Sequence, residues 1–239
     1  MCTVTIFALG DRLVFTSNRD EALARPQALV PTVTKYKGKT LLFPKDPLAG
    51  GTWFAVSAAG SVAVLLNGAF KRHIPTGHYR KSRGLVLLDI IAHDDPAAEL
   101  TVYDLHAIEP FTLLLYDSSR LIEFRWDGDA RYFKEIDLAA PCIYSSATLY
   151  TPEIISQREE WFEAFLHSSQ AKNPLSIRDF HASAGRGDAE NGLVMSRGNL
   201  LKTQSITQAI LGTTSVDFNY HDLVNDTVHE QTFFILQKA

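Results

Sequence analysis

Apolar and polar residues alternate with a period of two along much of this chain, and the alternation starts almost at once. The run Thr3-Val4-Thr5-Ile6-Phe7-Ala8-Leu9 meets the turn signal Gly10-Asp11 and then a second run, Leu13-Val14-Phe15-Thr16-Ser17. Two such runs around a short Gly-Asp turn predict a β-hairpin. A two-residue turn makes Leu9 face Arg12 and, counting back along both strands, Cys2 face Arg19. A three-residue turn ending at Arg12 makes Cys2 face Asp20. Directly opposed side chains in an antiparallel pair have Cβ atoms about 5 Å apart. Either register therefore sets the Cys2 thiol beside a guanidinium and a carboxylate.

Further strands follow from the same periodicity. Arg25-Pro26 ends the hairpin, and short strands are expected at 28–35 and 40–43. Gly50-Gly51-Thr52-Trp53 leads into a strand at 53–57, and a turn at 58–61 leads into 62–66, which stops at Asn67-Gly68. Ser82 is placed to cap a helix over 83–93 with Leu85, Leu88 and Ile91 on its apolar face, and Pro96 opens a second short helix. Strands at 111–116, 121–126 and 131–136 form a meander, with another strand at 142–146. Thr151-Pro152-Glu153 reads as a helix start with a capping hydroxyl, a proline in the first turn and an acid near the positive dipole end. Ile154, Ile155, Trp161, Phe162, Phe165 and Leu166 supply the apolar face of that helix. A short helix near 177–182 precedes strands at 203–211, 215–220 and 228–236, with Gln204, Ile206, Gln208 and Ile210 on one face of the first. The order of strands, helices, strands, helices, strands predicts an α+β fold, two mainly antiparallel sheets packed face to face with helices outside.

Composition narrows the function classes. At 239 residues, 46% hydrophobic and 21% charged, the chain suits one domain over 1–239 with a substantial core. A net charge of −4 gives nucleic-acid binding no general electrostatic support. Two cysteines make no disulfide framework. No apolar run approaches the roughly 20 residues that span a bilayer, and the N-terminus lacks the features of a signal peptide. The expectation is a cytoplasmic protein without membrane insertion, for which a homo-oligomer remains open. His73 and His78 have no partners at metal-ligand spacing, so neither a metal nor another cofactor is expected.

The candidate chemistry centres on Cys2. Removal of Met1 gives this residue both a thiol and a free α-amine. That amine titrates near ~8, close enough to neutrality to accept the thiol proton, so nucleophile and base sit on one residue. Arg19 would favour the thiolate, and Asp20 or Asn18 would hold the amine. The competing reading makes Cys2 a small buried hydrophobe and its charged neighbours a solvated ion pair. Trp53 either walls a pocket or is core. Asn67-Gly68 either is a plain turn or presents a backbone N–H to a developing oxyanion. The stretch from Lys71 to Arg83, including Arg72 and Arg80, holds five of the 23 lysines and arginines. It is either a solvated loop or a rim that attracts a carboxylate or phosphate.

Met1-Cys2-Thr3, Ser17-Asn18-Arg19-Asp20-Glu21 with Arg25-Pro26, Gly50-Gly51-Thr52-Trp53, Asn67 at a strand end and Ser82-Arg83-Gly84 opening a helix, in that order, resemble the NRDE family, the transport-and-Golgi-organisation type. Tyr144-Ser145-Ser146 and Thr203-Gln204-Ser205 match the family more weakly. The family in turn is similar to N-terminal-nucleophile hydrolases of the penicillin acylase and bile-salt hydrolase kind. That resemblance implies a four-layer αββα sandwich, Cys2 as nucleophile and base, Asp20 contacting its amine, and Asn67 in the oxyanion hole. Two positions differ from those amidases. Ser17 stands where they carry an arginine that Arg19, on the same strand face, would replace, and Ser146 lies near the place of their oxyanion-hole asparagine. The resulting expectation is an N-terminal cysteine hydrolase or acyltransferase acting on a linear amide of a small, anionic acyl compound, with Asn18, Trp53, Arg72, Arg80 and Ser146 contacting the substrate. The alternative is a non-catalytic carrier for a lipid, acyl-CoA or haem-like ligand.

Overall fold

A computed structural model describes residues 3–236. The N-terminal hairpin is β1 (Thr3–Leu9) and β2 (Arg12–Ala22), followed by β3 (Leu29–Tyr36), β4 (Lys39–Lys45), β5 (Phe54–Ser57) and β6 (Val62–Asn67). Helices α1 (Arg83–Ile91) and α2 (Pro96–Val102) lead to β7 (Phe111–Asp117), β8 (Arg120–Trp126), β9 (Arg131–Ile136) and β10 (Cys142–Ser145). After α3 (Pro152–His167) and α4 (Pro174–Ser183) come β11 (Ser196–Arg197), β12 (Leu201–Leu211), β13 (Ser215–Asp222) and β14 (Thr227–Phe234). The two-residue β11, which pairs with β12, is too short to leave a periodic signal in the sequence.

Two antiparallel sheets result. One runs β10-β1-β2-β12-β13-β14 and has the hairpin at its centre; the other is a meander, β3 through β9 in chain order, interrupted by α1 and α2. The sheets face each other across an apolar layer in which Phe54 of β5 meets Phe218 of β13, ring centroids 5.6 Å apart. Helix α1 packs on β5 and β6, while α3 and α4 pack on β10, β2 and β12. The second helical layer has its own core, in which Phe7 and Val14 of the hairpin meet Phe162, Phe165, Ile177 and Phe180. These are the four layers of an αββα sandwich. Among the described residues, no helix is long and apolar enough to cross a membrane.

Hairpin register follows the two-residue turn. Pairing runs without a slip from Leu9↔Arg12 to Thr3↔Asn18, and Gly10 takes the positive φ of 64° that such a turn needs. Ser82 caps α1 by accepting a hydrogen bond from the Leu85 amide.

Two local expectations are corrected. Thr151 is the N-cap residue of α3 but makes no side-chain capping hydrogen bond; Pro152, which brings no N–H to the first turn, and Glu153 near the positive dipole end start the helix instead. In β12 a bulge interrupts the alternation, with Thr203 opposite Asp20 and Ser205 opposite Arg19. The extra residue, Gln204, leaves the face of Ile206, Gln208 and Ile210 and accepts a 2.6 Å hydrogen bond from Arg19 Nη1.

The Gly-Gly-Thr-Trp and Ser-Arg-Gly segments meet backbone to backbone. A Cβ added at Gly51 would lie 2.4 Å from the carbonyl carbon of Gly84, and one at Gly84 would lie 2.7 Å from the Thr52 carbonyl oxygen. Only glycine lets the start of α1 approach the loop before β5 this closely. Gly51→Ala and Gly84→Ala should each lower stability by about 1–3 kcal/mol through overpacking, seen as a lower denaturant midpoint at unchanged slope. Gly187→Ala, where the added methyl meets no atom within 4 Å, should be near neutral in the same titration.

Candidate active site

Alternation along β2 sends consecutive residues of Asn18-Arg19-Asp20-Glu21 to opposite faces. Arg19 and Glu21 face a cavity of about 250 Å³ at one end of the space between the sheets, which Arg25, Trp53, Asn67 and Arg83 also line. Arg19 is 1% exposed. Its Nη1 donates to Gln204, its Nη2 donates to Asp46 at 3.1 Å and Glu21 at 3.3 Å, and its guanidinium lies 4.5 Å from the Trp53 ring centroid. Arg25 Nε donates to the same Asp46 oxygen at 2.6 Å. Burial works against the Asp46 charge, but the Arg25 hydrogen bond, the Ala49 amide and the Arg19 charge hold it below the ordinary carboxylate range. Arg83 pairs with Glu109 at 3.0 Å and donates to the Pro110 carbonyl. Burial lowers its pKa more than Glu109 raises it. The Trp53 indole N–H is buried with no acceptor, and the Asn67 side chain makes no hydrogen bond to another described residue.

On the other face, Asp20 accepts hydrogen bonds from Tyr150 Oη and, at 2.5 Å, from Thr203 Oγ1. The Asn18 amide nitrogen donates to the His181 and Leu193 carbonyls at 3.1 and 2.7 Å, which makes its Oδ1 the acceptor for His181 Nδ1–H. The remaining ring nitrogen, Nε2, accepts from the Thr5 hydroxyl at 2.8 Å. This is a fully satisfied neutral imidazole. Burial, with the nearby Arg158 charge, pushes its pKa down to about 3.

The structure thus gathers Arg19, Trp53 and Asn67 around one cavity. Asp20 is buried beneath them in the helical layer, and Asn18 is buried there as well, turned from the cavity and committed to His181. Ser146 is buried and does not line the cavity; its hydroxyl donates to the Asn67 carbonyl at 2.9 Å, tying β10 to the end of β6. The Gly68 amide donates to Pro110 and is therefore taken, while the Asn67 side chain lies on the cavity wall. Arg80 is held outside the cavity by Asp104 and the His106 carbonyl, and Arg72 is exposed. Of the basic stretch, Arg83 is the member at the cavity. Cys2 lies outside the described residues. Arg158 and His181 escaped the sequence analysis, although each breaks an apolar i,i+4 row: Ile154, Arg158, Phe162 in α3 and Ile177, His181 in α4.

The fold is that of the N-terminal-nucleophile hydrolases. A mutant conjugated bile acid hydrolase from Clostridium perfringens matches 100% of this chain with 97% of its own, at a TM-score of 0.56 and 11% identity. The Caenorhabditis elegans ortholog of N-acylethanolamine-hydrolyzing acid amidase matches 87% of this chain with 92% of its own, at a TM-score of 0.58 and 10% identity. At such identities the likeness is one of fold. The chain itself belongs to the Transport and Golgi organisation 2 (TANGO2) family, whose model matches residues 1–210. No curated protein matches it.

The neutral His181 sets a pH dependence of stability. Its folded pKa of about 3 lies below the ordinary 6.5, so between these values the unfolded chain binds a proton that the native protein does not. Stability should therefore fall as pH is lowered through this window. Denaturant titrations from about pH 6.5 to about pH 5, above the usual carboxylate range, should show this slope in the wild type. His181→Gln should flatten it, at lower overall stability.

Proposed function

We propose that this protein is an N-terminal cysteine hydrolase or acyltransferase acting on a linear amide of a small acyl-bearing compound. One observation carries the proposal: Arg19, Trp53 and Asn67, distant in sequence, line one cavity at the end of the strand pair that runs to Thr3↔Asn18. Cys2 is joined to Thr3 by a single peptide bond. With Met1 removed, the α-amine of Cys2 takes the thiol proton and the thiolate attacks the amide carbonyl. The Asn67 side-chain amide donates to the oxyanion. The ammonium then returns its proton to the leaving nitrogen as the C–N bond breaks, and water or an acceptor resolves the thioester. Arg19 stabilises the thiolate, and Asp20 orients the amine.

The cavity supports a compact substrate. Its volume of about 250 Å³ is below the roughly 300–1,000 Å³ of sites for drug-sized ligands, which favours this reading over a carrier of lipid or haem-like cargo. Arg25 and Arg83 on its wall suit a carboxylate or phosphate beside the acyl group.

Intact mass spectrometry tests the proposal. Protein purified from its native cell should lack Met1 and, with a panel of N-acyl amino acids, gain one acyl group at Cys2. Cys142 is the internal control, since burial first, and Glu123 next, push its thiol up to about 12. Retained Met1, or a Cys2 no more reactive toward a small electrophile than Cys142, would overturn the reading.

A further inference from the structure

We propose that Arg158 is a positioning residue for the candidate nucleophile, fixing the strand end next to Cys2 and the Asp20 carboxylate relative to each other. The inference rests on the hydrolase reading above.

Arg158 lies mid-way along α3 with 0% exposure, and among the described residues no carboxylate pairs with it. Its hydrogen bonds go to neutral groups. Nη1 donates to the Thr3 hydroxyl. Nε and Nη2 donate to the Asn191 carbonyl at 3.1 and 2.9 Å, and Nη2 donates to the Gly192 carbonyl at 2.8 Å. The guanidinium stacks 3.6 Å from the centroid of the Tyr150 ring, whose hydroxyl donates to Asp20. One planar group thereby grips the residue that follows Cys2 and the ring that holds Asp20.

Packing does not explain an arginine here. Taking a guanidinium out of water is costly unless its hydrogen-bonding capacity is met, and an apolar side chain would avoid that cost. The neighbours four residues away on either side, Ile154 and Phe162, are the apolar side chains that a purely structural position would take. The charge also acts at a distance: Arg158 adds to the effect of burial in lowering the His181 pKa. A buried cation close to the strand end lowers the pKa of the α-amine, which keeps it neutral and able to take the thiol proton, and favours the thiolate that this transfer forms. The titratable and charged groups around it are Tyr150 and Asp20, His181 of α4, Asp188 in the loop after α4, and Arg197, whose guanidinium is 5.4 Å from the Tyr150 ring.

The test is the pH dependence of Cys2 alkylation by iodoacetamide, read by intact mass on Met1-free protein, with folding checked by circular dichroism. Arg158→Met should move the midpoint up by about one pH unit and slow the reaction at neutral pH about tenfold. Tyr150→Phe keeps the ring under the guanidinium and deletes its hydrogen bond to Asp20. It retains the Arg158 charge, so it should keep the wild-type midpoint at a lower plateau rate as Asp20 loses its anchor, and it keeps the proposal testable if Arg158→Met does not fold. Arg158→Lys retains the charge and loses the fork, so it should restore the wild-type midpoint at a lower plateau rate. Profiles for Tyr150→Phe and any folded Arg158→Met that coincide with a reactive wild type would overturn the proposal and leave the hydrolase reading standing. A wild-type Cys2 as inert as Cys142 would overturn both.

Discussion

Arg19 is removed from water between two sheets, and a charge so placed is tolerable only when its hydrogen-bonding capacity is met. Its partners come from three separate parts of the chain: Glu21 on its own strand, Asp46 after β4 and Gln204 at the bulge of β12. Asp46 belongs to the opposing sheet's loop, so the ion pair joins the two sheets at the cavity. The other carboxylate oxygen of Asp46 accepts the Leu48 and Ala49 amides, which curls the loop that delivers Gly51, Thr52 and Trp53. Loss of the guanidinium would leave Asp46 with Arg25 alone among these cations, Gln204 without its charged donor and Trp53 without its stacking partner.

The close backbone approach of Gly51 to Gly84 extends the same constraint to α1. It brings the first turn of that helix to the cavity and seats Arg83 in the wall, where Glu109 meets it. Glu109 also contacts His73 at 3.0 Å. The basic loop is thus tied to the site at one point while Arg80 is held on Asp104. The positive charge of that loop is divided between the cavity wall and solvent, a division that its linear density does not reveal.

Beneath β2 the polar groups of the helical layer complement the cavity. Asn18 and Asp20 point away from Arg19 into a layer where Arg158 and His181 are both fully buried. The two solve burial differently: His181 stays neutral and exchanges hydrogen bonds with Asn18 and Thr5, while Arg158 keeps its charge and spreads it over carbonyls, a hydroxyl and an aromatic face. The Asn-Arg-Asp-Glu tetrapeptide therefore serves two layers at once, with alternate residues assigned to the cavity and to its support.

The strands, the N-terminal hairpin, the helix starts at Ser82 and Pro152 and the four-layer order were legible in the sequence, whereas the choice between the two hairpin registers it allowed was made by the structure. Period two, period 3.6 and turn chemistry act over a few residues and read the same in any context. The glycine-rich segments were visible, but their reason was not, because it lies in a contact between Gly51 and Gly84. The cavity's electrostatics depended on partners far apart, such as Arg19 and Gln204, which are 185 positions from each other. Alternation alone assigned Gln204 to the wrong face, since one inserted residue at a bulge reverses the pattern locally. Arg158 carried a sequence signal, a charge in an apolar row, but its meaning required Thr3, Tyr150 and Asp20 to converge on it. Local periodicity by itself thus determined which elements form and in what order. Tertiary structure alone decided which charges are buried and which group answers each one, because burial and pairing are properties of neighbours in space.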